Sequence, residues 1–275
     1  MTHSVNPVPK GFHSVTTYLV SPGVPRLLDF LKQAFGAEET IRTNRPDGSV
    51  SHAAVKIGDS MVEMGEPMEP GEAMTAALHH YVNDADNVYR NALRAGGTSL
   101  YEPADQEYGD REAGVRDPSG NDWYIATHKM GKSHMPEGLR DVNTGFSVAG
   151  CTQFLEFLTR AFDAKVKDKF ETPNGTVGHA NVQIGDSVVE CSEAHGQWGP
   201  RAVTIHLYVP DVDATYESAL KAGARSIGEP KNQFYGERNG GVIDPCGNYW
   251  YIATQTEELT LEEVYRRSAT QVSSH

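Results

Sequence analysis

The stretch HAAVKIGDSMVE at residues 52–63 returns as HANVQIGDSVVE at residues 179–190. The offset is 127 at every position, and nine of the twelve residues are identical. Each copy reads as two β-strands meeting at a Gly-Asp turn, Gly58-Asp59 and Gly185-Asp186, because that dipeptide suits a tight hairpin. If Ile57 opposes Ser60, then Glu63 opposes Ala54, and His52 lies two residues from Ala54. Side chains alternate faces with period two, so His52 and Glu63 share a face, as do His179 and Glu190.

The echo extends outward from that hairpin. Residues 117–127, DPSGNDWYIAT, return at 244–254 as DPCGNYWYIAT, and Tyr108-Gly109 matches Tyr235-Gly236. The spacing holds without a gap from Leu28 to Thr127, which marks a duplicated domain rather than a short-period solenoid. The expected division is a first domain over 1–130, a linker over 131–137 and a second domain over 138–275. Strand patterns over 13–20, 38–42, 50–56 and 60–64 surround a helical spacing of Leu27, Phe30, Leu31, Ala34 and Phe35 that stops at Gly36. A second set follows: a strand at 79–82, a helix over 85–95 capped by Asp84, weaker strands at 98–101 and 112–116, and a firm one at 123–127. The order βαβββ therefore occurs four times, and the fold class is α+β. Thr260 and Glu263 are spaced as a capping box, which predicts a further helix over 261–269 without a counterpart in the first copy.

A chain of 275 residues is long enough for two ordinary domains, each with its own core. Its net charge of −13 argues against nucleic acid or an anionic membrane as partner. No stretch of about 18 apolar residues exists and no signal-peptide pattern opens the chain. The three cysteines, Cys151, Cys191 and Cys246, lack framework spacing, so the expectation is a cytoplasmic protein whose partner is a small molecule.

The pattern YLV…FLKQAFGAEE…PDGSVSHAAVKIGDS…AGG…YGDR…DPSGNDWYIATH resembles the vicinal oxygen chelate superfamily, which includes glyoxalase I, fosfomycin- and bleomycin-resistance proteins and extradiol dioxygenases. The PhnB-like branch is the nearest in flavour. The resemblance covers residues 11–128 and 138–254, and it implies paired βαβββ modules whose half-barrels enclose a ligand cup. It also implies either a monomeric pseudo-dimer or a homodimer. Metal-dependent members place ligands at four positions, which here fall on Val15, Glu63, Ala77 and Tyr124, then on Val142, Glu190, Thr204 and Tyr251. Only the glutamate survives in each copy, because Val and Ala cannot ligate and neutral Tyr is a poor ligand. Period-two alternation keeps His79 and His206 on the cup face, so a displaced site of His52, Glu63 and His79, repeated as His179, Glu190 and His206, would suit zinc, iron, nickel or manganese.

Two other roles stand beside that one. Glu63 and Glu190 are candidate catalytic bases, their pKa raised by an apolar cup. Arg111 and Arg238 either clamp an anionic ligand group or pair with Asp117 and Asp244. Tyr108, Tyr235, Tyr124 and Tyr251 are expected against the ligand, with Trp123 and Trp250 facing the helices. Trp198 reads as a lid or a loop anchor. The functional expectation is a small-molecule-binding cup, with a metal-dependent lyase or dioxygenase, or a metal-free isomerase, as the alternative.

Overall fold

The computed structural model describes residues 5–69, 71–131, 133–196 and 198–272. Four βαβββ modules follow one another along the chain. The first runs β1 (Val15–Val20), α1 (Val24–Phe35), β2 (Glu38–Asn44), β3 (Val50–Ile57) and β4 (Ser60–Gly65). The second runs β5 (Ala77–Tyr81), α2 (Ala85–Arg94), β6 (Thr98–Asp105), β7 (Asp110–Arg116) and β8 (Asp122–His128). The third is β9 (Val142–Val148), α3 (Cys151–Phe162), β10 (Lys165–Glu171), β11 (Val177–Ile184) and β12 (Ser187–Glu193). The fourth is β13 (Thr204–Tyr208), α4 (Val212–Lys221), β14 (Arg225–Asn232), β15 (Glu237–Ile243) and β16 (Tyr249–Gln255), after which comes α5 (Leu261–Val272).

Local chemistry sets these boundaries. Asp84 and Asp211 sit in extended backbone and accept hydrogen bonds from Asn87 N and Ala214 N, each satisfying an orphan donor of a helix's first turn. Gly36 ends α1 at φ 66°, a conformation that costs glycine little. The repeated hairpin has the expected register, Ile57 against Ser60 and Ala54 against Glu63. Thr260 caps α5 by accepting from Glu263 N at 3.3 Å.

The modules combine across the duplication. One eight-stranded sheet has the order β14-β15-β16-β13-β1-β4-β3-β2, so it joins the first module to the fourth. The other has the order β10-β11-β12-β9-β5-β8-β7-β6 and joins the second module to the third. The seams are antiparallel, β1 with β13 and β5 with β9. Each copy supplies half of each sheet, while its own helices pack together, α1 on α2 and α3 on α4. The core lies in that helix layer: Trp123 packs on Phe35, and Trp250 packs on Phe146 and Phe162, all on the face away from the cups.

A pseudo-twofold axis passes where the copies meet. Thr17 and Thr144 share a buried hydrogen bond of 2.7 Å between hydroxyls. The Gly-Asp turns of the repeated hairpin supply the flanking contacts. Asp59 Oδ1 accepts from Asp141 N at 3.0 Å, and Asp186 Oδ1 accepts from Ser14 N at 2.7 Å. Ser60 and Ser187 hydroxyls accept from Val142 N and Val15 N, each at 3.0 Å. The stretch that revealed the duplication also fastens one copy to the other.

Candidate functional site

Each sheet curls into a cup with a buried imidazole between two carboxylates. In the Glu63 cup, His206 Nδ1 donates to Glu63 Oε2 at 2.9 Å. Its Nε2 faces Glu237 Oε2 at 3.5 Å, and both atoms are buried without a hydrogen bond among the described residues. Tyr208 stacks on the imidazole at 4.3 Å and donates its hydroxyl to Glu237 Oε1 at 2.9 Å. His52 Nε2 lies 3.7 Å from Glu63 Oε1.

The Glu190 cup repeats this with one displacement. His79 Nδ1 lies 3.2 and 3.1 Å from the two Glu190 oxygens, and Tyr81 stacks on its ring at 4.3 Å. The far carboxylate is Glu112, whose Oε2 is 3.2 Å from His79 Nε2 but off the N–H line, so that nitrogen makes no hydrogen bond among the described residues. The counterpart of Glu237 is Asp110, one methylene shorter, which accepts from Tyr81 Oη at 3.1 Å and pairs with His128 at 2.6 Å. Glu112 stands two residues along the same strand, hence on the same face, where the other copy has Asn239. Tyr101 donates to Glu112 Oε1 at 2.5 Å.

Electrostatics makes each triad an ion cluster. Burial alone would lower the histidine pKa, yet Glu190 and Glu112 overcome it and raise His79 to about 10. His206 is likewise depressed by burial but raised to about 10 by Glu63 and Glu237. Burial pushes the Glu63 and Glu190 carboxyls up, but His206 and His79 respectively hold them below the ordinary value. The expectation of a raised carboxyl pKa is therefore corrected, because each glutamate has an imidazolium against it. Each imidazole thus stands between two glutamates.

The grouping by copy also changes. His79 lies in the other sheet from His52 and Glu63, and His206 in the other sheet from His179 and Glu190, because the modules pair across the duplication. Glu63 meets His206 and His52; Glu190 meets His79, with His179 close enough to lower its pKa. At the first of the four family positions, Thr16 rather than Val15 stands opposite His206, so Val15 points away from the cup; a one-residue step changes face. Tyr124 and Tyr251 stand beside His79 and His206 on the cup face. Tyr124 stacks on Tyr101 at 6.4 Å.

The arginines go elsewhere. Arg111 pairs with Asp86 of α2, at 2.7 Å through Nη2, and with Asp105, while Arg238 pairs with Asp213 of α4 at 2.6 and 2.7 Å. Both lie on the helix face of their strands, opposite the face that carries Glu112 and Glu237. Asp117 and Asp244, their expected ion partners, instead accept from the Trp123 and Trp250 indoles. Tyr235 Oη accepts from Asn239 at 2.6 Å, and Tyr108 reaches Glu112 from the rim.

Sequence reasoning missed Tyr81, Tyr208, Glu112 and Glu237. The tyrosines carried a signal, since the pattern His-x-Tyr repeats at offset 127 with both residues on one face. The carboxylates did not, because they occupy non-equivalent positions.

A model of the glyoxalase/bleomycin resistance protein/dioxygenase superfamily matches residues 11–125 and 143–252. The chain belongs to that superfamily. Among solved structures, glyoxalase I from Zea mays aligns with a TM-score of 0.68 at 16% identity, over 92% of this chain and 95% of that one. A putative dioxygenase from Bacillus subtilis aligns with a TM-score of 0.58 at 13% identity, over 97% of this chain and 96% of that one. These likenesses concern the fold. An uncharacterized protein of Mycobacterium tuberculosis H37Rv is 29% identical over 161 residues, which is 52% of this chain and 95% of the relative. Among the described residues no helix is long and apolar enough to cross a membrane.

Superfamily members commonly use divalent metals. The donor set here does not fit one: the glutamate of each cup is hydrogen-bonded to an imidazole, and among the described residues no three His, Cys, Asp or Glu side chains are grouped to hold an ion. The remaining family positions in the cups hold Thr204 and Tyr251, or Ala77 and Tyr124.

Proposed function

We propose that this chain, a PhnB-like member of the superfamily, binds a small aromatic or amphiphilic molecule in its cups without the four-ligand metal site. The observation that carries this reading is the glutamate at the one surviving family position, which is already bonded to an imidazolium in both cups. A protonated histidine occupies the place where a cation would bind. What faces the interior is then a set of tyrosines and carboxyl groups, which suits a flat ligand carrying hydrogen-bond donors. Three free thiols suit the cytoplasm.

The test is a thermal-shift screen of aromatic amines, amidines and matched carboxylates, followed by calorimetry. A compound present at a hundredfold excess over its Kd adds about 2.7 kcal/mol of stability. Stabilisation by amines or amidines over matched acids supports the reading, and no stabilisation by any compound counts against it. Zinc, nickel, manganese and iron(II) salts are titrated in parallel. Stoichiometric binding lost in His79→Ala with His206→Ala would overturn the metal-free part.

A further inference from the structure

The duplication makes the two cups equal in topology, yet four differences separate them. The first is at the seam. Tyr18 of β1 stands beside Glu63 in register and leans over β4, where a Cβ at Gly65 would lie 2.4 Å from its hydroxyl. Its position at the other seam is Gly145, beside Glu190. A Cβ on Gly145 would meet only Ala77 atoms at 3.4 Å and beyond, ordinary contact, so that cup has room for a side chain there and carries none. The side chain of Glu63 is 4% exposed and that of Glu190 is 12% exposed.

The second difference is α5. Tyr265 donates its hydroxyl to the Arg42 carbonyl of β2 at 3.0 Å, and Arg267 reaches the Phe234 carbonyl before β15 at 3.5 Å. Strand β2 and the β14–β15 turn lie at opposite ends of the sheet order. Helix α5 thus ties the two ends of that sheet together. The corresponding stretch of the first copy, after β8, turns back toward the axis instead, where His134 pairs with Asp141.

The third difference is the rim. Around the Glu190 cup, Phe170 on edge strand β10 is 64% exposed, Tyr108 56% and Trp198 42%. Residue Phe170 corresponds to Thr43 in the covered cup, and Trp198 has no counterpart. The fourth is the wall: Tyr101 with Tyr124 forms a stacked pair in the open cup, where the other has Gly228.

We infer that the two cups do different work: the Glu190 cup admits the ligand, a flat aromatic molecule with donors for Glu112 and Glu190, while Tyr18 and α5 close the Glu63 cup. This rests on the reading of the cups as ligand sites, but its test needs no ligand. The intact chain is treated with a water-soluble carbodiimide and glycine ethyl ester, and coupling is followed residue by residue by mass spectrometry. Glu190 couples severalfold faster than Glu63. Opening the covered cup with Tyr18→Gly and Tyr265→Ala raises coupling at Glu63 severalfold, and Gly145→Tyr lowers it at Glu190. Melting curves of each variant show whether the fold is kept; the comparison within the unaltered chain stands even where a variant fails. Equal coupling of Glu63 and Glu190 in that chain, including none at either, overturns the inference. A silent ligand screen alongside unequal coupling would instead count against the proposed function alone.

Discussion

His79 and His206 are the residues whose chemistry most defines this molecule. An unfolded imidazole titrates near about 6.5, and in the fold both rise to about 10. The folded chain therefore holds protons that the unfolded chain releases between those values. The stabilisation is full below about 6.5 and is lost as pH rises toward 10, with a ceiling near 1.4 kcal/mol per pH unit for each histidine. Urea unfolding at a series of pH values should show that decline, and His206→Gln should flatten it. The acid side has the opposite sign. Folded Glu63, Glu190 and Glu112 lie below their ordinary value, so their contribution is present above about 4.5 and is lost as pH falls through the folded values. Removing the imidazole altogether leaves two buried carboxylates facing one another. His79→Ala should cost about 3–5 kcal/mol, and adding Glu112→Gln should recover part of that loss, both read as shifts in the urea midpoint.

Among elements, the repeated hairpins have the sharpest positional demand. Gly58 adopts φ 58°, and a Cβ there would lie 1.9 Å from Asp141 Oδ2, an atom that accepts from Asp59 N at 2.7 Å. Gly36 also has positive φ, yet open space surrounds it. Gly58→Ala should therefore destabilise well beyond Gly36→Ala, whose cost is about 1 kcal/mol of backbone strain. Equal melting temperatures for the two would remove the turn from the interface. Asp186→Ala strips a carboxylate from Ser14 N and His13, leaving a part-buried amide unpaired. A loss of about 1–3 kcal/mol is expected in calorimetry.

At the scale of the whole molecule, each copy has its own helix layer but only half of each sheet. Separated fragments, residues 1–134 and 138–275, would expose β1, β5, β9 and β13 along their seam edges. Mixed together they should form a one-to-one complex, and each alone should self-associate through the same seams. Size-exclusion chromatography with light scattering distinguishes these outcomes. A stable monomer of either fragment would show that the cross-copy seams contribute little.

The sequence by itself determined the duplication, the four βαβββ modules, the hairpin register and the face shared by His52 and Glu63. All follow from short-range rules: a fixed offset of 127, period-two alternation, a Gly-Asp turn and Asp caps. It also separated the Trp from the Tyr in both DPxGNxWY motifs, since neighbouring residues on a strand face opposite sides. Only the tertiary structure decided which modules share a sheet. Strand pairing across the two seams joins residues 62 to 192 positions apart, and similar modules satisfy the same local patterns whether they pair within a copy or across copies. That choice sent His79 to Glu190 rather than Glu63 and so altered the candidate site. It also decided charge. Whether a buried glutamate is raised or lowered depends on what stands against it, and Glu63 meets its imidazolium 143 positions further along the chain.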